Sequence, residues 1–182
     1  MVLTPSTMVA LDTRAPDFAL PDTDGTTVRR ADFEGKPLLV MFICNHCPYV
    51  KHVAAVLASV GNDLQRQGIA VVAINSNDAD NYPDDAPDRM VVEKSRRGYE
   101  FPYLFDESQD VARAYDAQCT PDLFLYDDAH RLAYRGQFDG ARPGNGVPVT
   151  GDSLVAAVQA MLQGDEMPVQ VPSLGCNIKW KH

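Results

Sequence analysis

Residues 38–43 read Leu-Leu-Val-Met-Phe-Ile, and residues 69–74 read Ile-Ala-Val-Val-Ala-Ile. Six apolar residues suit a strand, and the lack of alternation means that both of its faces are buried. Between the two runs Val50, Val53, Leu57, Val60 and Leu64 recur at helical spacing on one face. Asp63, Gln65 and Arg66 lie mostly off that face, and Gly68 is placed to end the helix. Strand, helix, strand with both strands buried requires a right-handed parallel crossover in a sheet covered by helices. The chain therefore reads as an α/β protein. Its 182 residues with 45% hydrophobic content are enough for one core, so a single domain over 1–182 is expected.

The first apolar run ends on Cys44-Asn45-His46-Cys47-Pro48, where the helical pattern begins. Two cysteines at this spacing, at a strand-to-helix junction, make a redox-active pair. A helix start presents free N–H groups and partial positive charge, which favour a thiolate and lower a cysteine pKa. Cys44 is therefore expected to be the exposed nucleophile, ionising below pH 7, and Cys47 the less exposed partner that closes the disulfide. His46, between them, is expected to favour the reduced form by pairing with the thiolate, and Asn45 and Pro48 to modulate the site or touch substrate. No organic cofactor is implied. The implied partners are a disulfide or dithiol substrate and a thiol electron donor.

The net charge of −9 argues against nucleic acid and anionic membrane surfaces as general partners. The first 16 residues lack a basic segment followed by an apolar stretch, and no run approaches a membrane span. A reducing cytoplasm is the expected location, where such a cysteine pair is catalytic or metal-binding rather than a staple. The oligomeric state is left open.

Residues 1–16 read as an irregular lead-in. Strands at 17–20 and 26–28 around Gly25 form a hairpin. Residues 75–87, with five acids nearby, read as a solvated loop feeding a helix from Pro87 to Arg97, since Tyr82-Pro83 breaks the EF-hand pattern. A short strand falls at 101–105, a helix capped by Ser108 runs to Tyr115, and a second hairpin joins 123–126 to 132–135. His130 is expected in its turn. A last helix follows Thr150 or Asp152 as cap. Residues 164–182 are a tail, with His182 as a frayed end.

Four segments carry a resemblance: Phe42 to Val50 around the cysteines, Phe101-Pro102-Tyr103-Leu104, Cys119-Thr120-Pro121-Asp122, and Gly175-Cys176-Asn177-Ile178-Lys179-Trp180. Together they are similar to the redoxin branch of the thioredoxin superfamily, the AhpC/TSA and TlpA-like group, and within it to a peroxiredoxin-like subgroup. The resemblance implies a thioredoxin-like fold: a central mixed sheet with flanking helices, an N-terminal β-hairpin extension and an insertion after the second core strand. It makes Cys44 the attacking and Cys47 the resolving cysteine of a thiol–disulfide oxidoreductase. It also makes Pro121 the cis-proline and Thr120 the residue whose backbone bonds an extended substrate. Thioredoxins carry a buried aspartate where this chain has Leu38, so the usual proton acceptor for Cys47 is missing.

Two alternatives stand beside this reading. A thiol peroxidase would use Cys44 as the peroxidatic cysteine with an arginine nearby, among Arg89, Arg96, Arg97 and Arg113, but Met41 stands where its motif needs Thr or Ser. A metal-binding module would draw ligands from Cys44, His46, Cys47 and His52. Cys119 and Cys176 are candidate extra redox thiols, each weighed against simple burial, the commoner fate of a free cysteine.

Overall fold

A computed structural model describes residues 3–181; His182 lies outside the described residues. The central sheet has five strands in the order β6-β5-β4-β8-β9. They are β4 (Leu38–Phe42), β5 (Ala70–Asn75), β6 (Tyr103–Phe105), β8 (Asp122–Tyr126) and β9 (Leu132–Gly136). β4 runs parallel to β5 and β5 to β6, while β8 is antiparallel to both β4 and β9. β4 and β5 are buried along their whole length, as their composition requires.

The pleat sorts β4 into two cores. Leu39 and Met41 point to the side covered by α1 (Pro48–Arg66), α2 (Pro87–Arg97) and α4 (Asp152–Gln163), against Val53, Leu57, Met90 and Leu154. Leu38, Val40 and Phe42 point to the other side, covered by α3 (Asp110–Ala114) and by Phe18 and Leu20 from the N-terminal segment. The expected hairpin is β2 (Ala19–Pro21) with β3 (Thr27–Arg29). Gly98, at φ 71, ends α2 in the left-handed conformation.

Two expectations of the local structure need correction. The lead-in and the tail are not irregular throughout. β1 (Leu3–Pro5) and β10 (Leu174–Asn177) pair, and β10 also pairs with β7 (Cys119–Thr120), giving a second sheet in the order β1-β10-β7. The expected caps Ser108 and Thr150 lie one place before the N-cap, where the Ser108 hydroxyl accepts the Asp110 N–H at 3.2 Å and the Thr150 hydroxyl the Asp152 N–H at 3.3 Å. α3 is entered through Gln109 and α4 through Gly151, both at positive φ, and the buried Asp139 takes the N–H groups of Thr150 and Gly151 at 2.8 Å each. His130 does sit in the turn, but it is buried, with Nδ1 against the Arg30 guanidinium and Nε2 near the carbonyls of Phe33 and Lys36. No helix among the described residues is long and apolar enough to cross a membrane.

Candidate active site

β4 ends at Phe42, and Pro48 is the first residue of α1. Proline fits there because its missing N–H would have had no partner and its φ is already helical. Cys47 is the N-cap, and Cys44, Asn45 and His46 form the turn between strand and helix. The turn is held by one carboxylate. Asp85, fully buried at the end of the 3-10 turn Pro83–Asp85, accepts the N–H of Asn45 at 2.7 Å and that of His46 at 3.2 Å on one oxygen. Its other oxygen takes His46 Nδ1 and Asn77 Nδ2. Asn45 completes the clamp: its amide donates to the Asp84 carbonyl and its Oδ1 accepts the Tyr103 hydroxyl, both at 2.9 Å. His46 stacks on Tyr82 at 5.4 Å between centroids.

The acidic stretch is therefore solvated only in part, with residues 80–84 exposed. Asn75, Ser76, Asn77, Asp78 and Asp85 are all buried. Burial pushes the Asp85 carboxyl up, but bonds from His46 and Asn77 outweigh this and leave it below the usual range. A buried acid beside the cysteines thus exists, supplied from the insertion after β5 rather than from Leu38. Sequence reasoning missed it. The available signal was the abrupt Asn75-Ser76-Asn77 run, at the same edge of the sheet as Cys44.

The Thr120–Pro121 peptide is cis and faces the pair. Cys44 Sγ lies 3.4 Å from Thr120 Oγ1, and Cys47 Sγ lies 3.2 Å from the Thr120 carbonyl oxygen, which accepts its S–H when Cys47 is protonated. Cys176 Sγ comes within 2.9 Å of Cys47 Sγ. All four cysteines are free thiols and all are buried. Cys119 points elsewhere, with its S–H toward the Pro121 carbonyl at 3.5 Å, and burial pushes its thiol far up.

The charge does not fall where the helix argument put it. Cys44 is only 2% exposed. Burial, the S–H geometry with Cys47 and the Asp85 charge push its thiol well above the usual value. Cys47 goes down, to about 4, because the Cys44 thiol donates to it and the Cys176 thiol and the Val50 N–H add to that, against the cost of burial. The expectations of an exposed Cys44 and of a low Cys44 pKa are both corrected. Cys47, not Cys44, is at the helix cap, so the N–H groups and dipole act on Cys47.

Cys44, His46 and Asp85 could hold a metal ion, since a sulfur, a ring nitrogen and a carboxylate oxygen lie within 4.8 Å of one another. An ion there would have to break the His46–Asp85 bond. His52 is exposed on α1 and is not part of this group. The arginines sought by the peroxidase reading are engaged elsewhere. Arg89 pairs with Asp88, Arg96 and Arg97 pair with Glu93, and Arg113 lies over Trp180.

The cysteines thus stand at the head of α1 with the cis-proline opposite. A family model described as AhpC/TSA matches residues 11–135. The chain belongs to the AhpC/TSA family. Among curated AhpC/TSA-like relatives, it is 29% identical over 126 residues to a thiol-disulfide oxidoreductase ResA of Geobacillus thermodenitrificans, covering 68% of this chain and 67% of that one. It is 27% identical over 129 residues to the peroxiredoxin Bcp of Escherichia coli, covering 69% and 78%. Among solved structures, an uncharacterized conserved protein from Geobacillus kaustophilus superposes with a TM-score of 0.96 at 50% identity, covering 100% of this chain and 97% of that one. A putative thiol:disulfide interchange protein DsbE from Chlorobium tepidum, with a TM-score of 0.67 at 23% identity over 85% and 99%, shares the thioredoxin-like fold. This AhpC/TSA member thus has the expected fold: a central mixed sheet, flanking helices, the N-terminal hairpin and the insertion after β5.

Proposed function

We propose that the chain is a thiol–disulfide oxidoreductase whose working couple is Cys44 and Cys47. The observation that carries this is the placement of Cys44 in the turn and Cys47 at the cap of α1, with both sulfurs on Thr120 of the cis Thr120–Pro121 peptide at 3.4 and 3.2 Å. In the reduced state one negative charge is shared, resting on Cys47 with the Cys44 S–H donated to it. When a disulfide R–S–S–R′ enters, the Cys44 proton passes to Cys47, and the Cys44 thiolate attacks. A Cys44–S–S–R bond forms, the S–S bond of the substrate breaks, and R′S⁻ leaves. R′S⁻ takes the proton from Cys47. The Cys47 thiolate then attacks Cys44 Sγ, forming the internal disulfide and releasing RS⁻, which is protonated from solvent. Two electrons have moved from the dithiol to the substrate. Reversed, the same steps oxidise a dithiol. His46, held by Asp85 within 4.8 Å of the Cys44 sulfur, is the ring placed to relay these protons.

The substrate is a disulfide- or dithiol-bearing protein or small molecule, and a thiol supplies electrons for the next turnover. The test is a thiol count after mixing reduced protein with oxidised glutathione. Wild type should lose two of its four thiols to an internal disulfide, and Cys47→Ser should instead keep glutathione on Cys44 as a mixed disulfide. Equilibration with thiol buffers should give a potential between about −270 and −120 mV. Cys44-dependent consumption of hydrogen peroxide, with glutathione disulfide left untouched, would replace this reading with the peroxidase one.

A further inference from the structure

The third sulfur at the site arrives from the far end of the chain. Cys176 sits on β10, directly opposite Thr120 in the register between β10 and β7. β10 thereby occupies the backbone edge beside the cis-proline, the edge at which the family resemblance put an extended substrate. The fit is close. A Cβ on Gly175 would stand 2.0 Å from the Thr120 carbonyl oxygen, so only glycine lets the two backbones come this near.

The strand is fixed on both sides. Before it, the Ser6 N–H donates to the Ser173 carbonyl and the Ser173 hydroxyl to the Gly136 carbonyl, each at 2.8 Å. After it, the Lys179 N–H donates to Asn77 Oδ1 at 2.8 Å and its carbonyl accepts the Asp78 N–H at 2.9 Å. Asn77 is also a donor to Asp85, so the same loop positions the Cys44–Cys47 turn and the segment carrying Cys176.

The result is that the Cys47 sulfur has two thiol neighbours, Cys44 and Cys176. Its separation from Cys176, 2.9 Å, exceeds a disulfide bond by only about 0.9 Å. Cys119, the remaining cysteine, has no such approach.

We propose that Cys176 is a third redox thiol that takes over the disulfide from Cys44. This rests on the reading of Cys44 and Cys47 as a redox couple. The step is an internal exchange. The Cys176 sulfur, as thiolate, attacks Cys47 Sγ. The Cys47–Cys176 bond forms, the Cys44–Cys47 bond breaks, and Cys44 leaves and takes up the proton that Cys176 lost. No electrons are gained or lost, and no further reagent is needed. Cys44 returns to its thiol form, ready for a second disulfide, while the oxidising equivalent waits beneath β10. Burial raises both thiols, Cys44 well above the usual value and Cys176 to about 12, so whichever of the two stands outside the disulfide holds the proton.

The test is disulfide mapping of the full chain after treatment with diamide, which removes two electrons and two protons per bond formed. Free thiols are then alkylated and the digest is read by mass spectrometry. Wild type should yield both Cys44–Cys47 and Cys47–Cys176 peptides, Cys176→Ser only the first, and Cys44→Ser the second as its main product. Cys119→Ser should match wild type. A Cys44–Cys47 bond in wild type, with no Cys47–Cys176 bond there or in a Cys44→Ser protein of native near-UV circular dichroism, overturns the proposal and leaves the couple standing. Failure of the Cys44–Cys47 bond to form even in Cys176→Ser overturns the couple itself, and the exchange with it.

Discussion

Replacing Gly175 by alanine tests how tightly β10 is docked. One effect favours alanine. Glycine inside a strand costs roughly 0.5–1 kcal/mol relative to alanine, because the unfolded chain loses more freedom at glycine on folding. Gly175 is not among the glycines at positive φ, so its backbone conformation is open to alanine. Against this stands one contact. The new methyl carbon would lie 2.0 Å from the Thr120 carbonyl oxygen, 2.7 Å from its carbon and 3.2 Å from the Pro121 nitrogen. These are backbone atoms, locked between β10 and the two cysteines, and they cannot swing aside as a side chain would. The strand must therefore lift. The ceiling on the cost is the loss of what its docking buries, chiefly Cys176 and Ile178. Burial of an Ile-sized side chain is worth about 1.5–3 kcal/mol, so a net loss of about 0.5–2.5 kcal/mol survives the favourable entropy. For a chain of this length that lowers Tm by roughly 1–10 °C. Thermal unfolding followed by circular dichroism reads the loss. Iodoacetamide alkylation at pH 7 reads the consequence at the site, since lifting β10 uncovers Cys47 and should raise its rate at least tenfold. An alanine variant with wild-type Tm and wild-type alkylation would refute the docking argument, because propensity alone predicts a gain.

Thiolate absorbance at 240 nm in the reduced protein should persist down to pH about 4 and vanish in Cys47→Ser; an inflection near 8.5 would defeat the assignment of charge to Cys47. The same depressed pKa links stability to pH: Cys47 contributes fully above its unfolded value near 8.5, and the contribution drains away as pH falls toward 4, so the wild type should outlast Cys47→Ser at pH 8 by more than at pH 4 in urea melts. Asp85→Asn removes the carboxylate that helps hold Cys44 up, so the pH midpoint of Cys44 alkylation should fall, while Asp85→Ala, which strands the N–H groups of Asn45 and His46, should cost about 2–4 kcal/mol in urea denaturation. Arg135 and Asp122 are both fully buried and paired at 3.1 Å, so Arg135→Leu alone should cost roughly 3–5 kcal/mol and adding Asp122→Leu should recover part of it.

The elements that sequence reasoning located are those whose signal is local. β4 and β5 are legible because six consecutive apolar residues have few other homes, and α1 because its buried face repeats every three to four residues. The cysteine pair is legible from its spacing. β10 is not, because Leu-Gly-Cys-Asn has neither alternation nor a strand-forming run. It exists through pairing with residues 3–5 and 119–120, far away in sequence. Asp85 is hidden for a related reason. Nothing in an acidic stretch marks one carboxylate as the buried one until Asn45 and His46, 40 and 39 residues earlier, donate to it. The placement of the thiolate failed on a shift of register. The helix begins one residue after Cys47 instead of at Cys44, and a cap acts over a single turn.

The sequence separation of 129 from Cys47 to Cys176 also sets an order of events in biosynthesis. A ribosome adding about 5–20 residues per second needs roughly 6–26 s to travel that distance. For that interval the nascent dithiol has been made and its covering strand has not, so the newborn chain presents Cys44 and Cys47 bare to whatever oxidants and thiols surround it.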